Sequence, residues 1–420
     1  MITLKEISKY DFRSIPIDPF WNTGVEKELK MHRIHAFPAK FPAFITAKAL
    51  AYAERNSLKV SKLADIFCGC GTTAFESKRN NIAFWGCDIN PVATMIAKTK
   101  SQKYQGWRLK IFLNTIFESF KSYVVEDKYD GANERLKLWF KEKEYNHLLH
   151  LKLRIEETIP EHSSYRQFFL CAFSNILKST SVWLTKSIKP QVDPNKIPVD
   201  VLSAFIEQCN FMISANEESD LISDSLTDIE TGNFLDEDIQ IPKVDLIVTS
   251  PPYVTSYEYA DLHQLSSLWL NYAEDYRDLR KGSIGSLHQD YNFNKEWKRL
   301  NDTGGKIVAR LIDQQKPKAR AVAKYFLDMQ EVAQKSYGML NRTGMALFVI
   351  GNTTYKGVLI DNAMHLSESL RNAGFSKIIA TKRKISQKIL TPYRDAKGKF
   401  TTNSGGRKIY SEEFIIIGEK

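Results

Sequence analysis

The strongest constraint on this 420-residue chain is a pair of segments in which a short apolar strand runs straight into a restricted loop. These are KLADIFCGCGTT at 62–73 and KVDLIVTSPPY at 243–253. In the first, a glycine turn separates the strand from a helix start, and NIAFWGCDINP at 81–91 reads as the next strand. That makes a β-α-β unit, the building block of a parallel sheet. In the second, Pro251 and Pro252 cannot extend a ladder, because proline has no N–H to donate. The chain must leave the sheet there. Two such loops at the carboxyl ends of buried strands predict an α/β, doubly wound, mostly parallel Rossmann-like sheet with its ligands at those ends.

Between these segments the periodicity changes. FLNTIFESFKSYVV, ERLKLWFKEKEYNHLLHLKLRIEETI, YRQFFLCAFSNILKST and VDVLSAFIEQCNFMISA all space their apolar residues as amphipathic helices do. No glycine loop or catalytic cluster interrupts them. The chain is therefore expected to divide into 1–100, carrying the glycine loop, a large helical insertion at 101–225, and 226–420, carrying the proline loop. Within the last part, LHQLSSLWLNYAED reads as a helix, 275–320 as basic and loop-rich, and AVAKYFLDMQEVAQKSYGML as a long helix. MALFVIGNT reads as a strand, and the end of the chain as a hairpin around a basic loop.

Composition excludes several classes. With 43% hydrophobic and 26% charged residues the chain is an ordinary globular one. No run approaches the ~18 apolar residues of a membrane span, and the first residues have no signal-peptide core. Five unevenly spread cysteines argue against a disulfide framework and for a cytoplasmic protein. The net charge of +10 is unevenly placed. Residues 197–242 hold eleven acids and no Lys or Arg, which reads as a mobile connector or a solvated loop. Residues 275–325 hold twelve basic residues against six acids, and 376–409 hold ten against one. Basic clusters of this kind suit a polyanion, because each neutralised phosphate releases counterions.

Residues 65–73 read as a cofactor pocket. Gly69 and Gly71 permit backbone conformations and close approach that a Cβ would forbid. Asp65 ends the first strand and Asp88 the next, roughly 20 residues on, where carboxylates suit ribose hydroxyls. The third glycine of a dinucleotide fingerprint is missing, which disfavours NAD. Cys68, Cys70 and Cys87 form no C-x-x-C pair, so no metal site is expected. The second segment reads as an amine pocket. Ser250 and the Pro251 carbonyl are acceptors, and Tyr253 adds a flat aromatic face; together they suit an exocyclic amine on a planar heterocycle.

TSPPY after a strand, with DIFCGCGTT upstream, resembles the S-adenosylmethionine-dependent DNA amino-methyltransferases. HAFPAKFPAFITAKAL at 35–50 resembles the family element that closes over the methionine part of the cofactor, which points to Phe41. DIFCGCGTT resembles the D-P-F-x-G-x-G-T-T loop with Ile66 for proline, implying cofactor contacts from Asp65, Phe67, Gly69, Gly71 and Thr72. GCDINP matches the second acidic position and adds Asp88 and Asn90. LFVIGNTTYKG resembles a later strand beside the catalytic pocket, and Gly232-Asn233 stands where the family often has Gly-Asp. The order of elements is one known permutation of the family.

Serine before Pro-Pro-Tyr is more typical of cytosine-N4 enzymes, whereas adenine-N6 enzymes more often carry Asp or Asn. Cytosine-C5 chemistry needs a Pro-Cys nucleophile, and no cysteine here follows a proline. The resemblance implies methyl transfer to the cytosine N4 amine in double-stranded DNA, with no metal and no membrane. Catalytic roles fall to Ser250, Pro251, Pro252 and Tyr253 on a base flipped from the duplex. It also implies a restriction–modification setting, with a restriction endonuclease acting separately. Adenine-N6 methylation of DNA and an RNA methyltransferase are the alternatives. For reading base edges in the major groove the basic segment 275–320, with Arg277, Arg280 and Lys281, competes with the helical insertion, and the basic segment plus part of the insertion is favoured. Lys382, Arg383 and Lys384 are placed on phosphates.

Overall fold

The computed structural model describes residues 1–420 except 25–26, 39, 220–224, 255–257, 286–290, 386–392, 395–399, 402–406 and 409–410. Its strands are β1 (Ile2–Thr3), β2 (Lys62–Asp65), β3 (Ala83–Asp88), β4 (Thr227–Thr231), β5 (Val244–Thr249), β6 (Leu340–Ile350), β7 (Thr353–Tyr355), β8 (Val358–Ile360), β9 (Lys377–Lys384), β10 (Tyr393–Arg394), β11 (Phe400–Thr401), β12 (Arg407–Lys408) and β13 (Glu412–Glu419). Helices α1 (Ala43–Arg55), α2 (Thr72–Arg79) and α3 (Pro91–Ser101) belong to the first half. Then come α4 (Gly106–Ser122), α5 (Glu134–Lys137), α6 (Glu142–Thr158), α7 (Ser164–Ile176) and α8 (Val201–Ser219). The second half holds α9 (Tyr259–Leu262), α10 (Gln264–Trp269), α11 (Phe293–Glu296), α12 (Asp302–Ile312), α13 (Lys316–Met339) and α14 (Asn362–Ala373).

The central sheet has the order β1-β9-β13-β6-β5-β2-β3-β4. Strands β4, β3, β2, β5 and β6 are mutually parallel, and β13 lies antiparallel between β6 and β9. From β2 the chain works outward to β3 and β4, then returns to place β5 on the other side of β2. The order therefore reverses between β2 and β5, which is where open α/β sheets bind ligands. The doubly wound, mostly parallel α/β sheet expected from the two strand–loop segments is the observed architecture.

Alternation along each strand explains why both faces are covered. On β6, Met345, Leu347 and Val349 face the layer containing Ile45, Ala49 and Tyr52 of α1. Ala346, Phe348 and Ile350 face the layer of α12, α13 and α14, among them Val308, Phe326, Met329 and Leu366. The same two-residue period sorts Ile415 and Ile417 from Phe414 and Ile416 on β13. Helices α4 to α8 build a separate core, in which Phe168, Phe169 and Phe205 cluster with Trp269 of α10 and with Val92, Met95 and Ile96 of α3.

Several local expectations change in three dimensions. The segment 134–159 is two helices, not one, because Trp139 and Phe140 turn inward at 2% exposure each. Trp139 there stacks on Trp183 at 4.8 Å. In 262–275 only Gln264–Trp269 forms a long enough turn run, which ends before Asn271 at φ 57°. The stretch 275–320 is not mainly loop: Asn301 caps α12 by accepting from Gly304 N at 2.8 Å, and Ile307, Val308 and Leu311 bury one face. The acidic stretch is also more than a connector. Most of it is α8 and β4, with Glu217 paired to Lys110 and Glu230 accepting from the Trp85 indole. Residues 220–224 of that stretch lie outside the described residues.

Candidate active site

The two restricted loops leave adjacent strands. Leu63 and Ala64 pair with Leu246 and Ile247. Just past that register, the Thr249 hydroxyl donates to Asp65 Oδ1 at 2.6 Å, joining loops 184 positions apart in sequence. Both loops open into one cleft of about 2610 Å³. Pockets for a small ligand run to ~300–1,000 Å³, so this one has room for a nucleoside and a second planar group.

On the glycine side the carboxylates brace backbone. Asp65 Oδ1 also accepts from Phe67 N at 3.2 Å. Asp88 accepts from Gly69 N and from Asn90 N, each at 2.9 Å. Burial raises both carboxyls, Asp65 and Asp88 alike, to about 6. Gly71 sits at φ 73°, and a Cβ there would lie 2.6 Å from Ala97 Cα, so α3 can approach the loop only because residue 71 is glycine. Gly69, at φ 47°, is likewise left-handed. The loop then feeds α2 with Thr72 at its first position, and the buried Thr72 hydroxyl has no partner among the described residues. Phe41, Phe67, Gly69, Thr72, Asp88 and Asn90 all line the cleft. Asn90 also holds the local structure together, since Oδ1 caps α3 at Val92 N and Nδ2 lies 2.7 Å from His263 Nδ1.

On the proline side, the Ser250 hydroxyl donates its one proton to the Val349 carbonyl at 3.0 Å. Its lone pairs therefore remain to accept from an incoming donor. Pro251, Pro252 and Tyr253 follow along the same wall. The Tyr253 hydroxyl donates to Glu413 Oε1 at 3.0 Å, and Arg383 donates to Glu413 Oε2 at 2.5 Å. Gly351, after β6, lets the Tyr253 ring pack against the backbone, since a Cβ would lie 3.2 Å from that ring. Burial and the neighbouring Glu413 both push the Tyr253 phenol far up, so it stays a donor.

Phe37, Phe41 and Phe44 close one side of the cleft, and the chain just before them is braced at Ile34, His35 and Ala36. Helices of the insertion hold it there. Asn175 of α7 accepts from Ala36 N at 2.9 Å, Gln208 of α8 donates to Ile34 O at 2.7 Å, and His35 Nε2 lies 2.9 Å from Ser174 Oγ.

The basic residues nominated for DNA do not share one fate. Lys382 and Arg383 are 3% and 4% exposed. Lys382 pairs with Glu412 and donates to Arg13 O, and Arg383 pairs with Glu413. Phosphate contact by these two is therefore corrected: they neutralise carboxylates of the neighbouring strand β13, whose register sets Glu412 beside Lys384 and Glu413 beside Arg383. Arg280 is largely buried against Asp261. Arg277 and Lys281 are exposed but paired with Asp275 and Asp278. Lys384 is exposed. Many of the remaining basic residues of 386–410 lie outside the described residues.

Sequence reasoning missed Glu413, which sits seven residues from the chain's end and 160 positions from Tyr253. Only its place on β13, next to β6 in the sheet, brings it to the cleft. Among the described residues no group of three or more His, Cys, Asp or Glu is placed to hold a metal ion. No helix of those residues is long and apolar enough to cross a membrane.

Fold and site together define a doubly wound α/β protein with one large cleft at its strand-order reversal, walled by the glycine loop and the Ser-Pro-Pro-Tyr loop. No protein-family model matches the chain. It is 24% identical over 426 residues to the Type II methyltransferase M.MvaI of Kocuria varians, covering 95% of this chain and 92% of that protein. Among solved structures it aligns with the rRNA methyltransferase aviRa of Streptomyces viridochromogenes at 9% identity, with a TM-score of 0.30 over 93% of this chain and 91% of the other.

Proposed function

We propose that this protein is an S-adenosylmethionine-dependent DNA methyltransferase of the restriction–modification kind, acting on the exocyclic N4 amine of cytosine. The observation that carries the reading is the joining of the glycine loop and the Ser-Pro-Pro-Tyr loop across one cleft by the Thr249–Asp65 hydrogen bond. Similarity along nearly the whole length to a Type II methyltransferase supports it.

The residues present fit the cofactor. The left-handed Gly69 leaves a space on the cleft side, with Phe37 the nearest side chain to a Cβ there, whereas Gly71 serves the packing of α3 and does not line the cleft. Thr72, whose hydroxyl is without a partner among the described residues, also lines it. Asp65 and Asp88 would hold hydroxyls of the nucleoside, and Phe41 and Phe67 would cover its apolar parts. When bound, S-adenosylmethionine supplies an electrophilic methyl group on a sulfonium. The protein's own residues then act by orientation and electrostatics. Tyr253 stacks on the flipped base. The Ser250 oxygen, its proton committed to Val349 O, accepts from the amine, as does the Pro251 carbonyl. Holding both N–H bonds would draw the nitrogen lone pair out of conjugation and leave it available as a nucleophile. Asp65, Asp88 and Glu413 carry the carboxylates of the cleft nearest these loops.

The test is product chemistry. DNA incubated with protein and cofactor is digested to nucleosides, and N4-methylcytosine is the expected product. N6-methyladenine in its place moves the reading to adenine, and methylation of RNA alone overturns the DNA reading. Ser250→Ala and Tyr253→Ala should each lower turnover at least tenfold while cofactor affinity holds.

A further inference from the structure

The helical insertion reaches the cleft at one place that no sequence pattern singled out. Residues 178–196 carry four lysines and one acid, Asp193. They form a braced hairpin. Trp183 bridges Val192, Leu184 N donates to Gln191 O at 2.8 Å, and Asp193 N donates to Val182 O at 2.8 Å. Its base is anchored by the Trp139–Trp183 stack.

The four lysines fall into two pairs. Lys178 donates to Ser187 O at 2.7 Å, and Lys196 donates to Lys178 O and Trp183 O at 2.7 and 2.8 Å. Those two are spent on the hairpin's own carbonyls, and burial lowers both amines. Lys186 and Lys189 stand at the tip, both exposed, and both line the cleft. Among the described residues neither side chain has an ion-pair partner. Lys27 and Arg33, from the N-terminal segment, are exposed, line the same cleft and likewise carry no ion pair among those residues. The contrast with Arg277, Arg280 and Lys281 is direct, since each of those faces an aspartate.

We propose that the 183–192 hairpin tip, through Lys186 and Lys189 and aided by Lys27 and Arg33, is the phosphate-contacting rim that seats duplex DNA over the cleft. The proposal rests on the DNA reading above and gives the insertion two roles there, bracing the closing segment and supplying this rim. A rigid tip suits phosphate contact, because little of its backbone freedom remains to be lost on binding. A lysine left without a carboxylate can neutralise a phosphate without first giving up an ion pair, and each phosphate so met sheds about 0.9 of a condensed counterion.

The experiment measures the affinity of the full-length protein for a 30-base-pair duplex as a function of salt. Each phosphate contact contributes about 0.9 to the slope of log K against log salt. Lys186→Ala/Lys189→Ala should lower that slope by about 2, weaken all duplex sequences alike, and leave the calorimetric cofactor affinity unchanged. Arg277→Ala/Lys281→Ala should lower it by less than half as much. A tip variant with the wild-type slope overturns the proposal while leaving the DNA reading standing. Wild-type protein that binds cofactor but no duplex overturns both, and so does tip-dependent binding confined to RNA.

Discussion

Replacing Glu413 by glutamine separates two jobs that the structure gives one carboxylate. Its Oε2 neutralises Arg383, whose side chain is 4% exposed, and its Oε1 accepts the Tyr253 hydroxyl at 3.0 Å. Stranding one member of a buried pair costs about 3–5 kcal/mol. Glutamine keeps an acceptor, and the Glu413 side chain is still 18% exposed, so the low end, about 3 kcal/mol, is expected. A hydrogen bond to a charged partner is worth ~1.5–3 kcal/mol, and a misplacement of about 1 Å at a reacting centre can cost 10²-fold. Loosening the Tyr253 ring should therefore lower kcat by roughly 10- to 100-fold while cofactor affinity holds. Tyr253→Phe keeps the ring and the Arg383–Glu413 pair. It should lose kcat by a similar factor and stability by about 1.5–3 kcal/mol, the worth of the bond to the charged acceptor. Urea unfolding reads the first quantity and single-turnover methylation the second. The double variant should be no slower than the slower single one, because both act on the same bond, which one substitution weakens and the other removes. Multiplying losses, or a Glu413→Gln protein with wild-type kcat, would refute Glu413 as the residue that positions Tyr253.

Gly71→Ala forces a Cβ into Ala97 at a left-handed position. The conformation costs ~1–2 kcal/mol and the overpacking ~1–3, so urea unfolding should show a loss of about 2–5 kcal/mol with cofactor binding gone. Asp65 and Asp88 titrate in the folded apo protein near 6, above their ordinary 3.8. Their protonated forms stabilise the apo fold below about pH 4, and that contribution is lost as pH rises through 6. Cofactor affinity should run the other way, rising from pH 5 to 7 as the carboxylates ionise. Calorimetry across that range, with Asp65→Asn flattening both trends, checks the sign. Lys382→Met removes a buried cation paired to Glu412. The salt slope of duplex binding should stay within about half a unit of wild type, and a fall of a full unit would return Lys382 to the phosphates.

Much was legible in the linear chain because it depends on local chemistry. A glycine turn after an apolar strand, two prolines ending another, and the change of apolar period after residue 101 follow from backbone sterics and side-chain alternation. They led to the sheet class, the placing of both loops at the switch-point cleft and the helical character of the middle segment. What misled was charge counting. Lys382 and Arg383 look like a basic patch in KRK, yet β9 carries them beside the carboxylates of β13. Lys186 and Lys189 sit in no run at all, yet the hairpin lifts them to the cleft.

The sequence by itself determined which segments could turn, end or alternate, because φ/ψ limits and apolar spacing act over a few neighbouring residues. Only the tertiary structure decided which charges are free and which are spent, and that Tyr253 answers to Glu413. A carboxylate neutralises whatever cation the sheet register places within about 4 Å of it, and register is set by burial of whole strand faces, not by distance along the chain.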